Sequence, residues 1–261
     1  MKANYHTHHE LCGHAIGKCE DYAVEAIKNN LEELGFSDHA PNSRVDDFGV
    51  RMDPKDFEGY LKEIEVVQNK YKNRLTIRKG IEVEFFYDHE EYYDFLKSKL
   101  DYIILGQHYV SLTKQMDDLI SGFGLSTDKQ IETYANFVCE GMQTGNFDIL
   151  AHPDLYMCGY KDWNQKAIEV AQRIIKCAKE TDTILEFNGN GFRRGIRNTP
   201  QGKTQPYPRL EFWELVKQSN AKTIFGIDCH APEQIGDTTI MKAEEVYKSL
   251  ETNAVEFLFK R

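Results

Sequence analysis

A chain of 261 residues with 41% hydrophobic and 28% charged residues has the make-up of an ordinary globular protein, which excludes disordered and fibrous architectures and makes one domain spanning 1–261 the expectation. The formal net charge of −10 creates a field that repels polyanions, so no nucleic-acid partner is expected unless positive charge is concentrated locally. No apolar run approaches the ~20 residues of a membrane-spanning helix, and Met1-Lys2 leads into Asn4, Tyr5 and His6 without an apolar signal core, so no membrane association and a cytoplasmic location are expected.

Six cysteines are scattered without a C-x-x-C pair, which predicts free thiols. No linker or repeat interrupts the chain, and it alternates between strand-like and helix-like stretches. A strand over 3–8 carries His6 and His8, and the two-residue period of a strand points both imidazoles to one face. His14 follows in a loop, then a helix over 21–30 and a strand over 33–39 ending at His39. A helix over 54–71 precedes a strand over 75–86 that carries Glu82 and, on the same face, Glu84. Next come a helix over 89–99, a strand over 102–109 with His108, a helix over 127–143 and a strand over 147–152 ending at His152. A helix over 165–179, a strand over 183–188, a glycine-rich loop over 189–197 and a helix over 208–219 follow. The last strand, 222–230, ends on Asp228-Cys229-His230, where the spacing puts the carboxylate and imidazole on one face and Cys229 on the other. A helix over 240–250 completes the pattern.

Seven strand-then-helix units predict parallel strands joined by right-handed crossovers, in an open sheet or a closed barrel. Donor side chains at the C-terminal ends of nearly every strand favour the barrel, because there those ends converge on one mouth. Imidazole and carboxylate without thiolate suit Zn, Mn or Fe with open coordination positions, whereas a closed structural zinc site favours cysteines. His89, in Asp-His-Glu-Glu, is expected at the surface, and His9 is a candidate contact either behind the metal-holding side chains or to the substrate.

The motifs His6-Thr7-His8, Ser37-Asp38-His39, Gly80-Ile81-Glu82, Gly106-Gln107-His108, Ala151-His152-Pro153 and Ile227-Asp228-Cys229-His230 resemble those of the polymerase and histidinol phosphatase (PHP) superfamily, in its order and across the whole chain. The resemblance implies a distorted seven-stranded β/α barrel, (β/α)7, with a trinuclear site. It would place one divalent ion on His6, His8, Glu82 and Asp228, a second on Glu82, His108 and His152, and a third on His14, His39 and His230. Spacing alone leaves Glu84 open as the bridging carboxylate; the family pattern favours Glu82. Within the superfamily, the His-Thr-His-His opening and the Ser-Asp-His-Ala-Pro and Gly-Ile-Asp-Cys-His-Ala-Pro-Glu segments look like histidinol-phosphate phosphatases, implying hydrolysis of L-histidinol phosphate in histidine biosynthesis.

Three divalent ions, two carboxylates and a bridging hydroxide leave the pocket at about +3, which suits a dianionic small-molecule phosphate monoester. A hydroxide held between ions would attack phosphorus, with Glu82, Asp228 and His230 as the catalytic group of side chains and Asp228 a weak candidate for proton donor to the alcohol. In the glycine-rich loop, Arg197 and Arg193 are expected at the phosphate and Arg194 is expected to point away. Glu186, Asp154, Tyr156 and Tyr207 are possible contacts for the amine and imidazole. Two other readings compete: a phosphoesterase of the same fold acting on nucleotides or nucleic-acid ends, and a non-catalytic metal-binding accessory module.

Overall fold

The computed structural model describes residues 1–42, 44–45, 49–113 and 116–259. In chain order the elements are β1 (Ala3–Asn4), α1 (Cys19–Lys28), β2 (Glu33–Phe36), α2 (Phe57–Tyr71), β3 (Thr76–Lys79), β4 (Glu82–Val83), α3 (Glu90–Lys99), β5 (Ile104–Leu105), β6 (Tyr109–Ser111), β7 (Leu119–Ser121), α4 (Asp128–Gln143), β8 (Ile149–Leu150), α5 (Met157–Tyr160), α6 (Gln165–Thr181), β9 (Ile184–Asn188), β10 (Arg197–Thr199), β11 (Gly202–Thr204), α7 (Leu210–Ser219), β12 (Lys222–Gly226), α8 (Thr238–Ser249) and β13 (Asn253–Ala254).

Local chemistry sets the helix starts. Thr127 caps α4 reciprocally with Gln130, Asn164 accepts from Ala167 N at the start of α6, and Asp237 accepts from Ile240 N at the start of α8. Along α6, Ala167, Val170, Ala171, Ile174, Ile175 and Ala178 recur at helical spacing and are buried, giving the helix one face to lay on its neighbours.

The sheet strands are parallel: β1, β2 and β3 form one ladder, and β4, β5, β8, β9, β12 and β13 form another in that order. Two parallel bridges join the ladders, Thr7 to Cys229 and His39 to Glu82. Backbone hydrogen bonds reinforce them, His8 N to Cys229 O at 2.9 Å, Glu82 N to Asp38 O at 3.0 Å and Ala40 N to Glu82 O at 2.8 Å. β2, β4, β5, β8 and β9 are buried along their whole length, as strands covered on both faces must be.

The expected strand over 75–86 is split into β3 and β4, which belong to different ladders. The reason is Tyr102. A side chain at Gly80 would lie 2.2 Å from its ring and one at Gly35 would lie 2.2 Å from its hydroxyl, so both positions leave room for it. Its hydroxyl is 2.6 Å from Tyr5 O and 3.0 Å from Phe36 O, tying three strand segments together. Tyr102 also belongs to an inner core with Ala3, Tyr5, Ile104, Ile149, Ala151, Ile184 and Ile224, against which Val255, Phe257, Leu258 and Phe259 pack. The antiparallel hairpins β6–β7 and β10–β11 have no counterpart in the expected pattern.

Replacing Tyr102 by Phe removes the hydroxyl and its hydrogen bond to the buried Tyr5 O, while Phe36 O keeps the Gly80 N–H at 2.9 Å. The expected cost is about 1–3 kcal/mol of unfolding free energy, measured as a lowered urea midpoint with an unchanged slope.

Candidate metal centre

The centre is organised around Glu82, the first residue of β4, which is 1% exposed. Its Oε2 lies 3.3 Å from His6 Nε2, 3.4 Å from His8 Nε2 and 2.9 Å from His39 Nδ1. Its Oε1 lies 3.5 Å from His108 Nε2 and 3.1 Å from His152 Nε2. Asp228, in turn, has Oδ1 3.2 Å from His8 Nε2 and 3.6 Å from both His6 Nε2 and His230 Nδ1. The ring of His8 is centred 4.4 Å from that of His39 and 4.3 Å from that of His230, and His14 sits 4.5 Å from His230. The nine residues expected as donors are therefore gathered in one place. Donor atoms of His8, His39 and His230 lie within 4.8 Å of one another, as do those of His6, His8 and Asp228.

The backbone explains the convergence. Thr7 bridges the end of the last strand, which turns the flanking imidazoles of His6 and His8 together into the centre. His152 and Asp228 have φ of 32° and 52°, a left-handed backbone that side-chain-bearing residues adopt at a cost of order 1–3 kcal/mol and that turns each out of its strand. Two glycines make room for carboxylates. A side chain on Gly106 would meet Glu82 Oε1 at 2.0 Å, and one on Gly226 would meet Glu186 Oε1 at 1.8 Å.

Further carboxylates hold the rings. Glu186 accepts from His6 Nδ1 at 2.7 Å and from His152 N at 3.3 Å, and Asn188 Nδ2 links it to Asp228 Oδ2. Glu84 stands 3.1 Å from His108 Nδ1 and is paired with Arg51, so Glu82 alone of the two acids occupies the middle. Such carboxylate–imidazole pairs fix the tautomer and free the opposite nitrogen for a cation.

Burial by itself raises a carboxyl and lowers an imidazole, and here neighbours decide the outcome. Glu82 is desolvated, yet His6, His108 and His39 hold it well below the usual carboxylate range. Asp228 is likewise held low, by His6 and His8 among others. Against its burial, His6 is raised by Glu186, Asp228 and Glu82. Burial and then the charges of His230 and His39 push His8 well down and His14 to about 4, leaving their nitrogens unprotonated at neutral pH.

No ion is described here, and the fit can be tested on the protein alone. His6 Nε2, both ring nitrogens of His8 and Glu82 Oε2 are buried and make no hydrogen bond. Three of these, His6 Nε2, His8 Nε2 and Glu82 Oε2, converge, with both nitrogens within 3.4 Å of the oxygen, and unsatisfied buried atoms so placed are costly unless cations complete them, so the residues fit a divalent metal cluster.

A cavity of about 210 Å³ opens onto this centre, lined also by Arg51, Tyr109, Phe123, Asn190, Arg194 and Tyr207. The arginine expectations require correction. Arg194 faces the cavity, its guanidinium 5.0 Å from the Phe123 ring and its Nε 3.3 Å from the Tyr207 hydroxyl. Arg193 pairs with Asp237 at 2.8 Å, and Arg197 donates to Cys158 O at 3.2 Å; neither lines the cavity. The tight turn over Gly189–Arg194 rotates consecutive side chains apart, and β10 carries Arg197 outward. His9 is also absent from the cavity, being buried against Asp38. Asp154 accepts from Arg209 N and Trp213 Nε1, and the Tyr156 hydroxyl donates to Ala167 O. Of the four possible amine and imidazole contacts, Tyr207 lines the cavity. Arg51 and Phe123 went unforeseen because they sit in a loop and a turn away from the strand ends, and Tyr109, the last residue of the expected strand over 102–109, instead opens the β6–β7 hairpin. Cys12, whose thiol lies within 4.8 Å of His14 and His230 donors, was signalled only by the Cys12-Gly13-His14 spacing.

Residues 4–190 match the PHP domain, and the chain belongs to that family. Among individual relatives, it is 27% identical over 263 residues to a Schizosaccharomyces pombe protein named "Probable histidinol-phosphatase", covering 90% of this chain and 83% of the relative. It is 25% identical over 273 residues to the histidinol-phosphatase of Bacillus subtilis, covering 90% and 96%. The fold is that of histidinol phosphate phosphatase from Lactococcus lactis, solved in complex with Zn, L-histidinol and phosphate: TM-score 0.73 and 19% identity over 97% of this chain and 95% of that one.

Because Glu186 holds His6, Glu186→Gln is expected to weaken metal binding about 10–100-fold without unfolding the chain. Titration of chelator-treated protein alongside circular dichroism checks both halves. Gly106→Ala, which drives a methyl group into Glu82, is expected to lose metal and stability together.

Proposed function

We propose that this chain is a metal-dependent phosphomonoesterase that hydrolyses L-histidinol phosphate to L-histidinol and phosphate. The observation that carries the reading is Glu82, a buried carboxylate within 3.5 Å of nitrogens from five histidines, one of its oxygens making no hydrogen bond. The names of the curated relatives supply the substrate.

In this reading the two ladders and their bridges form a distorted seven-stranded β/α barrel of a single domain, β3 and β4 counting as one position and β13 as an addition beside β12, with the inner core of Tyr5, Tyr102, Ile149 and Ile224 filling its base. His6, His8, Glu82 and Asp228 would hold one divalent ion, Glu82, His108 and His152 a second, and His14, His39 and His230 a third. Zn, Mn or Fe suits these donors. Bound ions would supply Lewis acidity, making hydroxide available near neutral pH and offsetting the charge of the phosphate.

The remaining work falls to the chain. Arg194, braced between Phe123 and Tyr207, presents a fork that matches two phosphate oxygens. The faces of Phe123 and Tyr207 give an imidazole-bearing leaving group a flat wall. Asp228, held as an anion by its histidines, steers His8 and His230 and is a poor proton donor. No helix among the described residues is long and apolar enough to cross a membrane, and a cytoplasmic setting with a free small-molecule substrate accords with this.

L-Histidinol phosphate assayed against mononucleotides, oligonucleotides and simple phosphomonoesters tests the reading. Turnover concentrated on L-histidinol phosphate, lost on chelation and restored by Mn or Zn, is expected; comparable or greater turnover of nucleotides would move the assignment to another phosphoesterase. Arg194→Ala is expected to lower kcat/KM about 10²- to 10³-fold, with metal content unchanged.

A further inference from the structure

Behind the centre lies a second cluster that the proposed reaction does not use. His9, the residue after the His6-Thr7-His8 segment, is 0% exposed, and its Nε2 makes no hydrogen bond. Its Nδ1 contacts Asp38 Oδ2, while Asp38 Oδ1 accepts from His9 N at 2.6 Å, so one carboxylate fixes both ring and backbone. The free Nε2 points towards Glu63 of α2, 3.8 Å from its Oε2. The other oxygen of Glu63 is taken by the backbone N–H of Cys19, the first residue of α1, at 2.9 Å. Donor atoms of His9, Cys19 and Glu63 all lie within 4.8 Å of one another.

We propose that His9 Nε2, the Cys19 thiolate and the Glu63 carboxylate form a separate zinc site, with Asp38 as the carboxylate that orients the histidine. The arrangement has the form in which metal-ligating histidines occur, one ring nitrogen held by a carboxylate and the other aimed at the ion. Tetrahedral zinc bonds of about 2.0–2.2 Å put a nitrogen and an oxygen donor roughly 3.3–3.5 Å apart, and the His9–Glu63 separation of 3.8 Å closes to that with a small shift of the Glu63 side chain. Tyr60 and Phe36 pack near the imidazole, their centroids 5.5 and 6.2 Å away, so bulk water does not satisfy it. Glu63 is the route in: its side chain is 30% exposed where His9 and Asp38 are closed off. On binding, zinc replaces the thiol proton of Cys19, which leaves to solvent, and no redox change is involved. The thiolate sets this site apart from the imidazole–carboxylate centre, and a filled site would pin the starts of α1 and the middle of α2 to the His6-Thr7-His8 segment.

Cobalt titration of the chelator-treated full-length protein tests the proposal, because thiolate-bound Co(II) gives an intense near-ultraviolet charge-transfer band that imidazole and carboxylate do not. The wild type is expected to show the band and to take up one equivalent more than Cys19→Ser or Glu63→Gln, with the band lost in Cys19→Ser and kept in Cys12→Ser. Hydrolysis by the Glu82 centre is expected to survive in Cys19→Ser, so this result is separable from the assignment of function. Absence of the band in the wild type, its loss in Cys12→Ser but not Cys19→Ser, or equal stoichiometry in wild type, Cys19→Ser and Glu63→Gln would each overturn the proposal. Glu63→Gln keeps the test valid should Cys19→Ser fail to fold.

Discussion

A single buried carboxylate governs the architecture of the site. Glu82 is desolvated on every side and surrounded by five imidazoles that arrive from four other stretches of chain, and most of what is unusual nearby serves to keep it there. Gly106 is bare so that the carboxylate can lie across it, and β4 pairs with the end of the second strand through His39. The interior is too well packed to tolerate a lone charge, so the anion persists only because cationic or cation-ready groups face it. The same logic extends outward, where Glu186 and Glu84 set the orientation of His6 and His108.

This arrangement reconciles an acidic protein with an anionic ester. The surface as a whole repels phosphate, but the attraction needed is local: in the proposed reading ions would sit among the imidazoles, with Arg51 and Arg194 at the cavity wall. As proposed ligands His8 and His14 would serve as neutral rings, because burial and neighbouring charge hold both below the usual imidazole range, and the neutral ring is the state in which an imidazole binds metal.

The sequence was most readable where side-chain type and strand period act together. His6 and His8 lie two apart at a strand end, and extended geometry carries both to one face; Asp228 and His230 are also two apart, but there the left-handed backbone of Asp228, which spacing does not predict, helps set the aim. The parallel pairing followed from the regular alternation of strand-like and helical stretches. What stayed hidden depends on distant packing. The break between β3 and β4 is made by Tyr102, which sits more than twenty positions away in the chain. The choice among Arg193, Arg194 and Arg197 turns on where a tight turn begins and where β10 takes over, because successive side chains of such a turn are about 120° apart, and glycine-rich sequence does not specify that. His9 looked like a substrate contact because it adjoins two site histidines, yet the strand period sends it to the opposite side, against Asp38.

The link between Thr7 and Cys229 carries a consequence for how the molecule comes into being. Contacts such as Ile227 N to Asn4 Oδ1 join residues 223 positions apart, so the first strand has no partner on that side until nearly the whole chain has been made. Loop closure over such a span is an entropically late event. His6 and His8 come from one end of the chain, Asp228 and His230 from the other. Under the proposed ligand sets, an ion on His6, His8, Glu82 and Asp228 or on His14, His39 and His230 would complete its shell only after the two ends meet, whereas Glu82, His108 and His152 all lie in the interior of the sequence.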